Sequence, residues 1–234
     1  MKILKIKQYG LPRSGTNYFK SILENNYYVH VLPNTGGHKH EFYQEIENPL
    51  DIIVSFKNPY AWLVSMHKYQ LLGQEQNLDK NKEKVLEEYN FKDFIMKPYE
   101  WGGRYYVETN MVGQTPIEHY NLMNKHWIDI KIFGKQNIIA IYENCLNNPV
   151  KYSKQIADKL SLKKRDEDFY VVGEKLGYLS EEIELVDKKE KTDYDKKNYY
   201  LNEEYLNFFN NNLIKYVNEN LDKTVMSCLG YNYV

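Results

Sequence analysis

The sequence has few cysteines and no excess of charge of either sign. Cys145 and Cys228 are the only cysteines among 234 residues. A disulfide framework or a four-cysteine zinc site is therefore excluded, and we expect a reducing, cytoplasmic environment. The formal net charge of −1 argues against a broadly basic surface, so nucleic acid is not an expected partner. No run reaches about 18 apolar residues, so we expect no membrane partner.

Hydrophobic and aromatic residues are abundant instead. They include 23 Tyr and 9 Phe, and hydrophobic residues make up 42% of the chain, which predicts a folded protein with a sizeable core. The length fits one domain over residues 1–234. Residues 163–198 are dense in Lys, Asp and Glu, and we interpret them as a mobile flap within that domain.

Strands alternate with helices along most of the chain. Strands are predicted at residues 2–8, 27–32, 50–56 and 137–142, and helices after residue 16, from Pro59, and over 118–130, 149–160 and 201–221. Such alternation, with nearly continuous apolar strands, predicts an α/β fold with a mostly parallel central sheet flanked by helices.

A turn bounded by Gly10 and Gly15 joins the first strand to the first helix. These glycines have the spacing of the Walker phosphate loop, but Thr16 and Asn17 stand where its lysine and hydroxyl residue belong. A cation, Arg13, lies inside the turn and is one of three Arg among 31 basic residues. A helix N-terminus with backbone N–H groups and a guanidinium binds anions well. The alternative is an ordinary strand-to-helix turn with Arg13 in solvent.

Two segments resemble the sulfotransferases that use 3′-phosphoadenosine 5′-phosphosulfate (PAPS). Residues 10–18 are similar to the family loop that binds the 5′-phosphosulfate, with departures at Asn17 and Tyr18. Lys57-Asn58-Pro59 is followed by Ser65 at the spacing of the family's arginine and serine that grip the 3′-phosphate. Read without the family, Lys57 is a strand-end charge and Ser65 a hydroxyl on a helix face.

The resemblance continues to about residue 162. Tyr142-Glu143-Asn144 and Asn148-Pro149 match a family stretch whose tyrosine lies near the adenine. Tyr142 is equally open to an interpretation as core packing. The C-terminal third has no Arg-Lys-Gly phosphate clamp, and only Lys196 and Lys197 offer a substitute.

The resemblance implies a P-loop-like sulfotransferase fold and transfer of a sulfuryl group from PAPS to a hydroxyl or amine. The acceptor would be a small molecule or carbohydrate, and no metal is expected. Arg13 would also act in catalysis by stabilising charge on the leaving group. The donor-binding residues it implies are Arg13, Ser14, Gly15, Thr16, Asn17, Lys57, Ser65 and Tyr142.

A general base is expected in the segment between the second and third strands. Histidine is the commonest such base, and the resemblance places the base at His40, with His38 at a family lysine. Glu41 and His38 remain alternatives, as does a solvated loop role for His40. Two histidines alone are a weak metal signal. An aromatic segment with two glycines, residues 99–106, is predicted to line the acceptor pocket or to be a packed turn.

Two other functions fit parts of the pattern. A P-loop kinase or NTPase would require magnesium and an aspartate at the end of an apolar strand, whereas the third strand ends in Lys57 and the fourth in Tyr142. A non-catalytic nucleotide-binding module would bind the diphosphate without turnover. The sequence names neither the acceptor nor the oligomeric state.

Overall fold

A four-stranded, entirely parallel sheet forms the centre of the protein. The computed structural model describes residues 3–35, 37–45, 47–77, 90–98, 114–165, 168–172 and 197–234. The strands are β1 (Leu4–Gly10), β2 (Val29–Leu32), β3 (Asp51–Phe56) and β4 (Asn137–Ile141), in the spatial order β2-β1-β3-β4. In register, Gly10 lies beside Ser55 and Phe56 beside Ile141. The carboxyl ends of β1, β3 and β4 therefore meet at one edge.

Helices cover the sheet, so the predicted α/β fold is confirmed. They are α1 (Thr16–Asn26), α2 (Pro59–Asn77), α3 (Phe91–Met96), α4 (Pro116–Asp129), α5 (Tyr142–Asn147), α6 (Pro149–Lys159), α7 (Lys197–Leu201), α8 (Asn211–Asn220) and α9 (Lys223–Leu229). Buried residues such as Ile6, Phe19, Ile53 and Trp127 form one continuous core. Strands buried on both faces account for the apolar runs in the sequence.

Local capping fixes where the helices at the sheet edge begin. Asn58 follows β3 and accepts a hydrogen bond at Oδ1 from Tyr60 N (3.0 Å), while Pro59 occupies the first helical position of α2. The indole of Trp62, one turn further, donates to Pro12 O at 2.8 Å. Helix α2 is therefore tied directly to the loop that follows β1.

The predicted helix over residues 201–221 is confirmed for α8 (Asn211–Asn220) and is wrong for residues 202–210. A 3-10 helix (Glu204–Phe208) follows Glu203, whose φ of 56° is left-handed, and α8 and α9 then form separately. Asn210 caps α8 through Leu213 N, and Asp222 caps α9 through Thr224 N and Val225 N. Both caps satisfy N–H groups that a continuous helix would pair internally, which favours new starts.

The described part of segment 163–198 is tied to the body of the protein. Lys164 forms an antiparallel bridge with Tyr27, and the Asn26 amide exchanges hydrogen bonds with the Tyr170 backbone at 2.7 and 2.9 Å. Residues 166–167 and 173–196 of the predicted flap lie outside the described residues, and so does Lys196. None of the described helices combines the length and apolar character needed to cross a bilayer.

Candidate functional site

The turn after β1, here called the glycine loop (residues 10–16), depends on glycine at both ends. Gly10 has φ 151° and Gly15 has φ 90°, values that L-residues with a side chain rarely adopt. A Cβ at Gly10 would lie 2.4 Å from Ser55 Oγ, and one at Gly15 would lie 2.4 Å from Tyr142 Cδ2. The loop therefore approaches β3 and the start of α5 as closely as a backbone can.

The glycine loop delivers the N-terminus of α1 to the sheet edge. Gly15 precedes the helix and, having no side chain, offers no side-chain cap to the first N–H groups. Eleven residues of helix add partial positive charge at that end. Thr16 is buried, and Gln8 fixes its carbonyl with a 2.8 Å hydrogen bond. This geometry suits an anion, as the loop pattern predicts.

Ser14 and Arg13, both in the glycine loop, differ in burial: Ser14 is buried and Arg13 is exposed. Ser14 is buried: its N–H donates to Leu11 O (3.1 Å) and its Oγ lies 3.2 Å from Ser55 Oγ. Both polar groups of Ser14 thus hold the loop closed. Arg13 is exposed, with φ 66° and its guanidinium carbon 5.4 Å from the Tyr69 ring centroid. Its guanidinium remains accessible to a ligand.

Lys57 and Ser65, which the resemblance assigns to one phosphate, contact each other. Lys57 Nζ donates to Ser65 Oγ at 2.8 Å and lies 3.5 Å from Arg13 O, so the pair adjoins the glycine loop. Lys57 follows β3, and Ser65 lies about two turns into α2. Lys57 is 3% exposed. Burial lowers the pKa of its ammonium, although Tyr200 and Glu143 oppose that shift.

Tyr200, on α7, covers the Lys57–Ser65 pair, a contact that the sequence pattern did not indicate. Its ring centroid is 4.0 Å from Lys57 Nζ, and its hydroxyl is 3.3 Å from Ser65 Oγ. Tyr200 lies far away in sequence, next to Lys197 at the start of α7. In the sequence Tyr200 stands out only as part of the pair Tyr199-Tyr200, and that pair does not indicate a contact with Lys57 or Ser65.

Tyr142 packs against the glycine loop. It is 3% exposed, its ring meets those of Tyr18 and Tyr200 edge-on at 5.5 and 5.4 Å, and it blocks any side chain at Gly15. Little of its surface is left for a base to stack on. In this structure Tyr142 supports the loop, and its placement near an adenine stays a prediction.

The segment before residue 42, here called the histidine loop (residues 33–35 and 37–41), lies against Gly10. Gly10 N donates to Lys39 O at 3.0 Å, and His40 Nδ1 contacts Gly10 O. A carbonyl only accepts, so Nδ1 carries the proton and Nε2 keeps a lone pair. Burial, reinforced by Lys39, holds the pKa of His40 well below its ordinary value. His40 is therefore neutral near pH 7.

The side chains of His38 and Glu41 both accept hydrogen bonds from backbone N–H groups of the histidine loop. His38 Nδ1 accepts from His40 N at 3.3 Å, so its own proton resides on Nε2. Glu41 Oε2 accepts from His38 N at 2.9 Å. The contact with Gly10 O orients the His40 ring, and with it the lone pair on Nε2.

Lys39 is the site residue that sequence reasoning missed. Its Nζ donates to Asn17 Oδ1 at 2.9 Å, in the first turn of α1. Burial and nearby Lys20 lower its pKa. Among the described residues, no carboxylate forms an ion pair with Lys39, Lys57 or Arg13. The sequence shows that Lys39 lies between two histidines, but it does not show that the Lys39 side chain points to Asn17.

Comparisons with protein families, with curated proteins and with solved structures found no match to this chain. The described residues contain no group of three or more His, Cys, Asp or Glu that could hold a metal ion. The aromatic segment 99–106 predicted to line an acceptor pocket lies outside the described residues. The candidate site is therefore defined by the glycine loop, the Lys57–Ser65 pair and the histidine loop.

Replacing Lys39 with Met should raise the pKa of His40, because a neighbouring cation that disfavours the imidazolium is removed. Titration of the His40 ring signals by NMR measures the change. Lys20→Met is the control, since Lys20 borders Lys39. An equal pKa of His40 in wild type and Lys39→Met would contradict this electrostatic arrangement.

Proposed function

We propose that this protein is a PAPS-dependent sulfotransferase. The observation that carries the proposal is a pair of cationic points on either side of one loop. Lys39 reaches the N-terminus of α1 through Asn17, and Lys57 with Ser65 lies beneath the carbonyl of Arg13. Two separate anionic groups on one ligand, such as a 5′-phosphosulfate and a 3′-phosphate, match two such points.

The positive groups of the site can be assigned to the two anionic groups of PAPS. The α1 N-terminus, Lys39 and the exposed guanidinium of Arg13 would hold the 5′ anion, and Lys57 with Ser65 the 3′-phosphate. When bound, the donor would supply an electrophilic sulfuryl group. Positive groups near the leaving oxygen offset the charge that develops there, and losing one such donor typically slows a reaction by about 10²- to 10³-fold.

The acceptor must lose a proton, and His40 is suited to take it. Its Nε2 lone pair is fixed by the Nδ1 contact with Gly10 O. Its pKa is too low for a strong base in the free protein, but a bound polyanion would favour the imidazolium and raise that pKa toward the working pH. Donor binding would therefore prepare the base.

The kinase alternative is less well supported by the strand ends. A Walker-type enzyme holds magnesium with a carboxylate at the end of a strand beside the loop. Here Lys57 follows β3, and Tyr142 follows β4. The nearest acid, Glu143, accepts hydrogen bonds from Asn58 N and the Tyr231 hydroxyl, both at 3.0 Å. Its oxygens are used to join α5 to α2 and the C-terminus.

Adenosine 3′,5′-diphosphate should raise the melting temperature in the presence of EDTA, because a ligand that binds only the folded state stabilises it. Labelled PAPS, incubated with a panel of carbohydrates, phenols and amines, should then transfer its label. Stabilisation by Mg-ATP alone would favour the kinase. Binding of the diphosphate with no transfer to any acceptor would favour the non-catalytic module.

Lys57→Met should weaken adenosine 3′,5′-diphosphate binding by about 10- to 100-fold, the worth of a hydrogen bond to a charged group. The affinity for adenosine 5′-monophosphate should barely change, because that ligand has no 3′-phosphate. Titration calorimetry with both ligands separates the two cases. Lys135→Met, at the opposite edge of the sheet, is the control, and equal losses for both ligands would remove the 3′-phosphate assignment.

His40→Ala should lower the transfer rate by about 10²- to 10⁴-fold and leave the donor affinity within a few-fold of wild type. The separation is expected because His40 contacts Gly10 O and not the cationic points. Exposed His30, paired with Glu24, provides the matched control as His30→Ala. Full activity of His40→Ala would move the base to Glu41 or His38.

A further inference from the structure

Lys7, in the middle of β1, is a buried lysine that the proposed chemistry does not use. It is 2% exposed, and its Nζ donates to Pro33 O at 2.8 Å and to Gly37 O at 2.6 Å. The ammonium also lies 4.6 Å from the Tyr9 ring centroid. Burial lowers its pKa to about 8 despite the opposing charge of Glu41. The fold therefore keeps a charge where it is unfavourable.

The two carbonyls that Lys7 binds both belong to the histidine loop. They lie on the stretch that leads into His38. Gly10 holds the next part of the loop, through the N–H bond to Lys39 O and the contact with His40 Nδ1. Lys7 thus fixes the loop at Pro33 and Gly37, directly before the residues that Gly10 contacts.

We propose that Lys7 is a positioning residue, whose two hydrogen bonds fix the histidine loop so that Lys39 and His40 meet the glycine loop. The effect runs through backbone carbonyls, and Lys7 itself touches no reacting group. Productive sites require side chains held within about 0.5 Å, and loop residues reach that precision only when their backbone is pinned. An ammonium can pin two converging carbonyls at once, which no apolar side chain can do.

The effect of losing Lys7 on the stability of the protein distinguishes a positioning role from a purely structural one. Burial lowers the pKa of Lys7, so its charge costs stability in the native state, and an apolar side chain of similar volume would remove that cost. If Lys7 served stability, its loss would destabilise the whole protein. If it serves positioning, its loss should free the histidine loop and leave the rest of the fold intact.

This inference deepens the proposed function, because the histidine loop holds the proposed base and a proposed donor-binding cation. Its test reads the loop in the free protein. A failure of sulfuryl transfer and a failure of the positioning role are therefore distinguishable.

The test compares Lys7→Met with Lys5→Met, an exposed lysine on the same strand. In Lys7→Met we expect an unchanged or higher melting temperature, a His40 pKa that rises toward its ordinary value, and about tenfold faster exchange of the Gly10 and His38 amides. Lys5→Met should match wild type in all three. Equal His40 titration and amide exchange in the two variants would overturn the proposal, as would a Lys7→Met protein that loses protection throughout the sheet.

A measurement on the wild-type protein tests the positioning role without any substitution. The amide signals of His38, Lys39 and His40 should shift with the midpoint of the Lys7 side-chain titration, expected near pH 8. Of the other groups that face Lys7, burial lowers the pKa of His38 and raises the pKa of Tyr9 to about 12, and Glu41 contributes an opposing charge. Lys39 is followed by its own side-chain signal. Amide shifts that ignore the Lys7 midpoint would overturn the proposal.

Discussion

The ammonium groups of Lys39 and Lys57, which form no ion pair with a carboxylate among the described residues, dominate the electrostatics of the candidate site. Lys39 and Lys57 both have lowered pKa values because burial penalises their charge. The N-terminus of α1 adds positive potential of the same sign. Nearby cations oppose both charges, Lys20 that of Lys39 and Arg13 that of Lys57. Like charges repel each other more strongly in a partly desolvated site than in water, so an anion bound there would offset this repulsion.

Burying these lysines lowers the stability of the folded protein. Each buried lysine whose pKa falls on folding lowers the stability of the native state below that pKa, since the unfolded chain holds the proton more readily. Lys7, Lys39 and Lys57 all do this, and all adjoin the glycine loop or the histidine loop. Strain of this kind concentrates at functional sites in natural proteins. An anionic ligand that binds the native state alone returns part of the lost stability.

The sequence was informative where a local pattern sets the geometry. The strand-turn-helix around Gly10 and Gly15 was predictable because both glycines occupy conformations closed to other residues. The pairing of Lys57 with Ser65 was expected only through the resemblance, which assigns both residues to one phosphate. Lys39, Lys7 and Tyr200 could not be assigned in this way. Their partners lie 22, 26 and 135 residues away, and no short-range rule specifies a contact between residues so far apart in sequence.

The glycine loop and the histidine loop act as one unit because they share Gly10. Its N–H and its carbonyl are both engaged by the histidine loop, and its φ of 151° together with the contact to Ser55 leaves no space for a Cβ. The direction of that carbonyl is therefore fixed by the backbone of β1 and β3. Since the same carbonyl holds the proton of His40 on Nδ1, the strand pairing also determines which ring nitrogen keeps the lone pair. In this way the residue that shapes the glycine loop also sets the tautomer of the proposed base.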